Sequence, residues 1–435
     1  MSRRAKLAAG GAAACLLALL LAVVMWPSAN APDPCAADSS RCATIAAGEP
    51  IYLGTLLSDT DTQGIDALTS TELAIDYLDG RFDGIGGRLL DHPISLVSEN
   101  DGCSPEGGRL GAERLLQEDK LLGVVGPTCS SSALDAADAL LTARKTPIIS
   151  PSNSAPSLTD AERHQRYYFR TALNDLLQAE VASAFAYEKL GGRTAAVMFS
   201  PSAYSSQLGV AFGNRFKLKG GTVVSRSNLE GSGGLTGAIR AAERKKPDVI
   251  FVPVQMSTKP SCADTVAAIR ASATLRASRV IVSEACQDRT FLTALGKEAA
   301  GVFASGPDAG DTARDPFYQS EYLPAFKRSS GAAPAGVFDT NAFDAANLIF
   351  DAIRQAAERQ PGGGLVVDRE KMRSALLEVK GYSGLSGTLD CSTTGDCAQG
   401  GRIAVYKAPD WPVLNPKAKP VFSQSKSIVE LLTGP

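Results

Sequence analysis

Residues 126–135 read GPTCSSSALD: a glycine-proline turn, a cysteine, three serines and a helix-like run. Ser130, Ser131 or Ser132 can each cap that helix, and Ser132 with Asp135 has capping-box spacing. One serine suffices for a cap. The other hydroxyls, with free backbone N–H groups and the helix dipole, make a site for an anion. Spacing leaves both readings open. A second cluster, Ser152, Asn153 and Ser154 in PIISPSNSAPSLT (147–159), follows the next apolar run. It reads either as an ordinary polar loop or as more of one site. Larger polar groups stand past three further apolar runs: Tyr204 in FSPSAYSSQLG, Gln255 in VPVQMSTKP and Glu284 in VIVSEACQD. Glu284 is either a surface acid at a helix start or the counter-ion of a cation.

What is missing narrows the chemistry. The chain has only two histidines, His92 and His164, both in charged contexts that read as surface. A His-dependent triad or zinc site therefore lacks its parts. There is no phosphate-binding loop and no nucleophile elbow, and the glycine-rich runs 83–88 and 230–237 do not fit the dinucleotide fingerprint. No enzyme activity, cofactor or metal is expected. The formal net charge of -2 offers no basic surface for nucleic acid.

These groups need elements to hold them. From Ile51 onward, apolar strands alternate with amphipathic helical stretches, which implies α/β architecture with mainly parallel, doubly wound sheets. The span is too long for one such sheet, so two Rossmann-like lobes are expected. Residues 32–50 read as a linker and 408–435 as a loose tail. Residues 387–407 read as two strands around a turn pinned by Cys391 and Cys397.

The N-terminus speaks to compartment. MSRRAK is basic, residues 7–26 are uncharged and apolar, and Ala29-Asn30-Ala31 is an A-x-A-like cleavage site. Two outcomes stand: cleavage after Ala31, or retention as a single N-terminal anchor, since Pro32 is poor after a cut and the run is long enough to span a bilayer. Either places the remainder outside the cytoplasm. Export fits eight further cysteines in an oxidising compartment. Their order suggests the local bridges Cys35–Cys42, Cys103–Cys129, Cys262–Cys286 and Cys391–Cys397.

Together these segments resemble the type I periplasmic binding proteins of the leucine/isoleucine/valine-binding kind. The resemblance is carried by ENDGCSPEGG (99–108), GVVGPTCSSS (123–132), PIISPSNSAPSLT, the YYFRT crossing (167–171), FSPSAYSSQLG (199–209), VSEACQD (282–288) and SGLSGTLD (383–390). It spans roughly residues 50–407. It implies a clamshell of two lobes, lobe one from 51–171 and 303–385 and lobe two from 172–302 and 386–407, on a three-strand hinge that closes on an amino acid or similar small amphoteric ligand. It also implies a monomer that delivers its ligand to the permease of an ABC transporter. The alternative is a membrane-anchored extracellular sensor of the same fold. By position, Ser130 with Ser131 would hold the ligand carboxylate, and Ser152 and Ser154 would touch carboxylate and ammonium. Glu284 would pair with the ammonium and Tyr204 would supply an aromatic wall. The Cys103–Cys129 bridge matches a family disulfide. Two departures put an aliphatic ligand in doubt. The loop LLSDTDTQGIDA (56–67) is acidic, so Asp59, Asp61 or Gln63 can meet the ligand side chain, and Gln255 and Met256 stand where aromatics are usual.

Overall fold

The computed structural model describes residues 34–433, apart from residues 232, 413, 414 and 416. The expected signal or anchor segment and its cleavage site lie outside them. Residues up to Arg41 form one compact unit and those from Cys42 onward another. In the first, the short helix Pro34–Ala37 is followed by a turn in which Asp38 Oδ1 accepts the Ser40 amide at 2.9 Å. Among the described residues no helix is long and apolar enough to cross a membrane.

Among its described residues the second unit holds two large sheets and two small ones. The first has six strands, in the order Arg88–Leu89, His92–Glu99, Ile51–Leu56, Leu121–Val125, Ile148–Ser150, Tyr168–Arg170. All pair in parallel except the first two. Leu121–Val125 is buried at every position, as a strand covered on both faces must be. Against it packs the long helix Asp339–Ala356, so closely that a Cβ on Gly123 would lie 2.7 Å from Ile349 Cγ2. Glycine is required there by the backbone's approach to the helix, not by a turn.

The second sheet has seven strands, in the order Phe422–Ser427, Gly400–Lys407, Phe303–Pro307, Arg279–Ser283, Val249–Val252, Thr194–Phe199, Thr222–Asn228. Five are parallel, and Gly400–Lys407 and Phe422–Ser427 close one edge antiparallel. Several expectations change here. Phe303–Pro307 pairs with Arg279–Ser283, so it belongs to lobe two, and the chain returns to lobe one only after Pro307. The tail is no loose strap: Phe422–Ser427 is a sheet strand, and Trp411 is fully buried with its ring centroid 5.1 Å from that of Phe291. Residues 387–407 are not one hairpin. Gly387–Leu389 pairs with Tyr382–Gly384, while Gly400–Lys407 joins the second sheet. The stretch read as a linker contributes Cys42–Ile45 to a three-stranded sheet with Leu365–Asp368 and Ala357–Arg359, because Ala43 and Ile45 find a core. His92 is buried, its two ring nitrogens lying 2.7 Å from Glu49 O and 3.0 Å from Gly363 O.

The chain crosses between the sheets three times: after Arg170, after Pro307, and between Leu389 and Gly400. Arg170 locks the first crossing to the third. Its fully buried guanidinium pairs with Asp396, donates to Ala155 O at 2.9 Å and Asn153 O at 3.2 Å, and to Thr159 Oγ1 at 2.6 Å. Asp396 lies in the loop closed by the Cys391–Cys397 disulfide. Cys262–Cys286 is also formed, and Cys35 and Cys42 are both disulfide-bonded.

Candidate functional site

The opening motif forms a rigid turn. Strand Leu121–Val125 ends at Gly126, whose φ of 134° suits glycine and whose Cβ would lie 2.3 Å from Leu56 O. The buried Asp101 then gathers the turn's amides: Oδ2 accepts Thr128 N at 2.8 Å and Cys129 N at 3.1 Å, and Oδ1 accepts Cys103 N at 3.0 Å. Burial pushes its carboxyl pKa up, against the pull of those three amides. The Cys103–Cys129 disulfide spans 26 residues, a loop whose closure stabilises by roughly 3–4 kcal/mol in the chain-entropy account. A helix opens at Ser130, with a π-turn at Ala133–Ala137, and continues through Ala143.

The next loop is welded to this one. Ser150 Oγ donates to Pro127 O at 2.7 Å, and Ser152 Oγ to Thr128 O at 2.8 Å. Ser130 Oγ accepts the Ala155 amide at 3.3 Å. Both serine clusters thus sit at the carboxyl ends of adjacent parallel strands, where open α/β sheets bind ligands.

Between the lobes lies a small cavity of about 30 Å³, far below the ~300–1,000 Å³ usual for ligand pockets, so the lobes must part to admit a ligand. Lobe one lines it with Asp61, Gln63, Thr128, Cys129, Ser130, Ser152 and Phe338, and lobe two with Tyr204, Gln255, Glu284 and Ala285. Glu284 is buried; Oε1 accepts from the Tyr204 hydroxyl at 2.6 Å and Oε2 from Gln178 Nε2 at 2.5 Å. Burial raises its pKa, and those two hydrogen bonds pull it back. Asp175, on the helix Asp175–Ala184 that also carries Gln178, is a second buried acid. Neither of its carboxylate oxygens has a hydrogen-bond partner, nor has the neighbouring Ser154 hydroxyl. Burial first, and then the charge of Glu284, push its pKa well up.

The lobes are closed on one another by polar contacts around this cavity. Ser257 Oγ donates to Asp61 Oδ2 at 2.8 Å, and Thr62 Oγ1 to Asp288 Oδ2 at 3.1 Å. Ser131 Oγ accepts the Ala203 amide at 2.9 Å. Gln207 accepts from Ser157 N at 3.0 Å and donates to Ser157 Oγ at 2.8 Å. Gln255 Nε2 lies 3.3 Å from Cys129 Sγ.

Of the residues singled out from sequence, Asp61, Gln63, Ser130, Ser152, Tyr204, Gln255 and Glu284 meet at the cavity, and Asp59, Ser131, Asn153 and Ser154 do not line it, Asp59 being exposed. Ser131 spends its hydroxyl on the facing lobe. Asn153 is scaffold: its Nδ2 donates to Pro127 O at 3.0 Å, and its Oδ1 accepts from Tyr168 at 3.4 Å. Ser154 is buried beside Asp175. Sequence reasoning missed Thr128, Phe338, Asp175 and Gln178. Asn174-Asp175 carries a visible signal, a capped helix start just after the first crossing, but it reads as an ordinary cap. Nothing local marks Phe338, which comes from the far end of the chain.

The family described as "Periplasmic binding protein" matches residues 52–408. The chain is similar to the Leu/Ile/Val-binding protein BraC3 of Rhizobium johnstonii, 25% identical over 313 residues, 71% of this chain and 79% of that one. Among solved structures it is similar to the branched-chain amino acid transporter substrate-binding protein LivJ of Streptococcus pneumoniae in complex with isoleucine. There the TM-score is 0.69 at 17% identity, covering 87% of this chain and 100% of the other. It is also similar to a solute-binding protein of R. palustris in complex with 4-hydroxybenzoate, with TM-score 0.70 at 17% identity, covering 86% and 97%. The match over most of its length, carried on two doubly wound lobes that close over a polar cavity, makes the chain a member of the type I periplasmic binding protein family.

Proposed function

We propose that the chain is an exported solute-binding protein that captures an amino acid or similar small amphoteric ligand between its lobes and delivers it to an ABC transporter. One observation carries this reading: the same closed cavity holds a helix N-terminus with a serine on one lobe and a buried carboxylate on the other. A zwitterion needs both. Its carboxylate is placed at Ser130 and the first-turn amides of that helix, with Ser152 beside them. Its ammonium is placed at Glu284, where Tyr204 and Gln178 orient the acid. Lobe one is complete before closure, and lobe two adds Glu284, Tyr204 and Gln255. The ligand thus shifts the hinge by its differential affinity for the closed state.

An aromatic carboxylate such as the R. palustris protein carries fits less well here. It would set an anion in a small cavity beside Glu284 with no basic side chain among the lining residues. The test is a thermal-shift panel of amino acids, amides, benzoates and sugars on the purified protein, since ligand binding raises the melting point by mass action. Shifts by amino acids or amides support the reading. Shifts by sugars or simple carboxylic acids alone overturn it.

A further inference from the structure

The cavity has a second acid, on the lobe opposite Glu284. Asp61 ends the loop before the helix Thr62–Asp76, caps it by accepting the Gln63 amide at 3.0 Å, and is buried against the cavity. Its other oxygen takes the Ser257 hydroxyl across the lobes. Both partners are neutral. Behind it stand Asp288, held by Thr62, and Asp66, whose Oδ2 accepts the Ala335 and Gly336 amides at 2.7 Å each. The charge that acts on Asp61 is that of Asp288, and those that act on Asp66 are Asp288 and Asp61, all of one sign. Among the described residues no lysine or arginine forms an ion pair with any of the three. Gln63 and Gln255 continue the polar wall, and Phe338 supplies an apolar one.

A zwitterion with an aliphatic side chain would satisfy Glu284 and the Ser130 helix end, then leave Asp61 desolvated with no cation. A ligand with a second positive charge would supply it. Capping alone does not require an acid, since asparagine, serine and threonine also cap. We infer that Asp61 is a specificity-determining residue, selecting amino acids with a cationic side chain over neutral ones of equal length. This rests on the amino-acid reading above.

The test is calorimetric titration of the full chain with lysine and with norleucine, which lacks only the terminal ammonium. Lysine is expected to bind at least tenfold more tightly. Asp61→Asn, which keeps the cap and removes the charge, is expected to bring the ratio below threefold; Asp61→Ser serves if that variant does not fold. Norleucine binding as tightly as lysine, or an unchanged ratio in the folded variant, overturns the inference while leaving the amino-acid reading intact. If neither compound binds and no other α-amino acid does, both fall together.

Discussion

Glu284 occupies its place because two neutral donors of its own lobe hold both oxygens, leaving the remaining lone pairs for a ligand. A hydrogen-bonded charge of this kind contributes about 1.5–3 kcal/mol. Glu284→Gln is therefore expected to weaken amino-acid binding by roughly ten- to a hundredfold in a titration. Binding of a ligand with only a carboxylate should barely change, and equal loss for both would remove the ammonium role. A second residue-scale effect is thermodynamic. Burial and the charge of Asp66 push Asp339 up to about 7, from an ordinary value of 3.8. Burial, more than its like-charged neighbours, raises Asp66 to about 6. Between pH 4 and 7 the folded chain keeps a proton at Asp339 that the unfolded chain has released. Acidification from pH 8 to pH 5 thus favours the folded state through this group, and its contribution is lost as pH rises through 7. Asp339→Asn is expected to flatten the melting temperature's dependence on pH over that range, as measured by thermal melts at each pH.

At the scale of elements, the Gly126–Ser132 turn is held from three sides: the Cys103–Cys129 bridge, the amides gathered by Asp101, and the Ser58 amide donating to Thr128 Oγ1 at 2.8 Å. Replacing both cysteines by serine is expected to lower stability by about 3 kcal/mol in a denaturant titration. It should weaken ligand binding as well, because the helix start is then free to shift. The crossing network behaves differently. Asp396→Ala strands the Arg170 guanidinium in the interior, and breaking one side of such a pair costs about 3–5 kcal/mol. Were Asp396→Ala as stable as the unaltered chain, Arg170 would not depend on it.

On the proposed reading, the governing quantity for the whole molecule is the balance between open and closed. The lobes meet through single polar contacts around the cavity, each worth about 0.5–1.5 kcal/mol net. Ser131→Ala removes one of them without touching the cavity. It is expected to raise the dissociation rate by roughly two- to tenfold in stopped-flow displacement, with little change in melting temperature of the unliganded chain. A large fall in that melting temperature would make Ser131 part of lobe one's own fold instead.

Strand-helix alternation, the two-lobe layout and the polar strand ends were all legible along the chain. Each follows from local periodicity and from turn and cap chemistry, which neighbouring residues determine. So Ser130, Ser152, Tyr204, Gln255 and Glu284 could be picked out one at a time. What sequence could not settle was which donors and acceptors are spent on one another. Ser130 and Ser131 are adjacent and chemically identical, yet one lines the cavity and the other bonds the opposite lobe. Asp61 read as one of several loop acids, and Asp175, one residue past a helix cap, drew no reading at all. Only the packed lobes made the first a buried acid lining the cavity and the second a neighbour of Glu284 whose carboxylate oxygens have no hydrogen-bond partner. Phe303–Pro307 could have extended either sheet by its apolar pattern, and partner geometry chose the second. Hydrogen-bond satisfaction and desolvation depend on what arrives from distant parts of the chain, and those the tertiary structure alone decides.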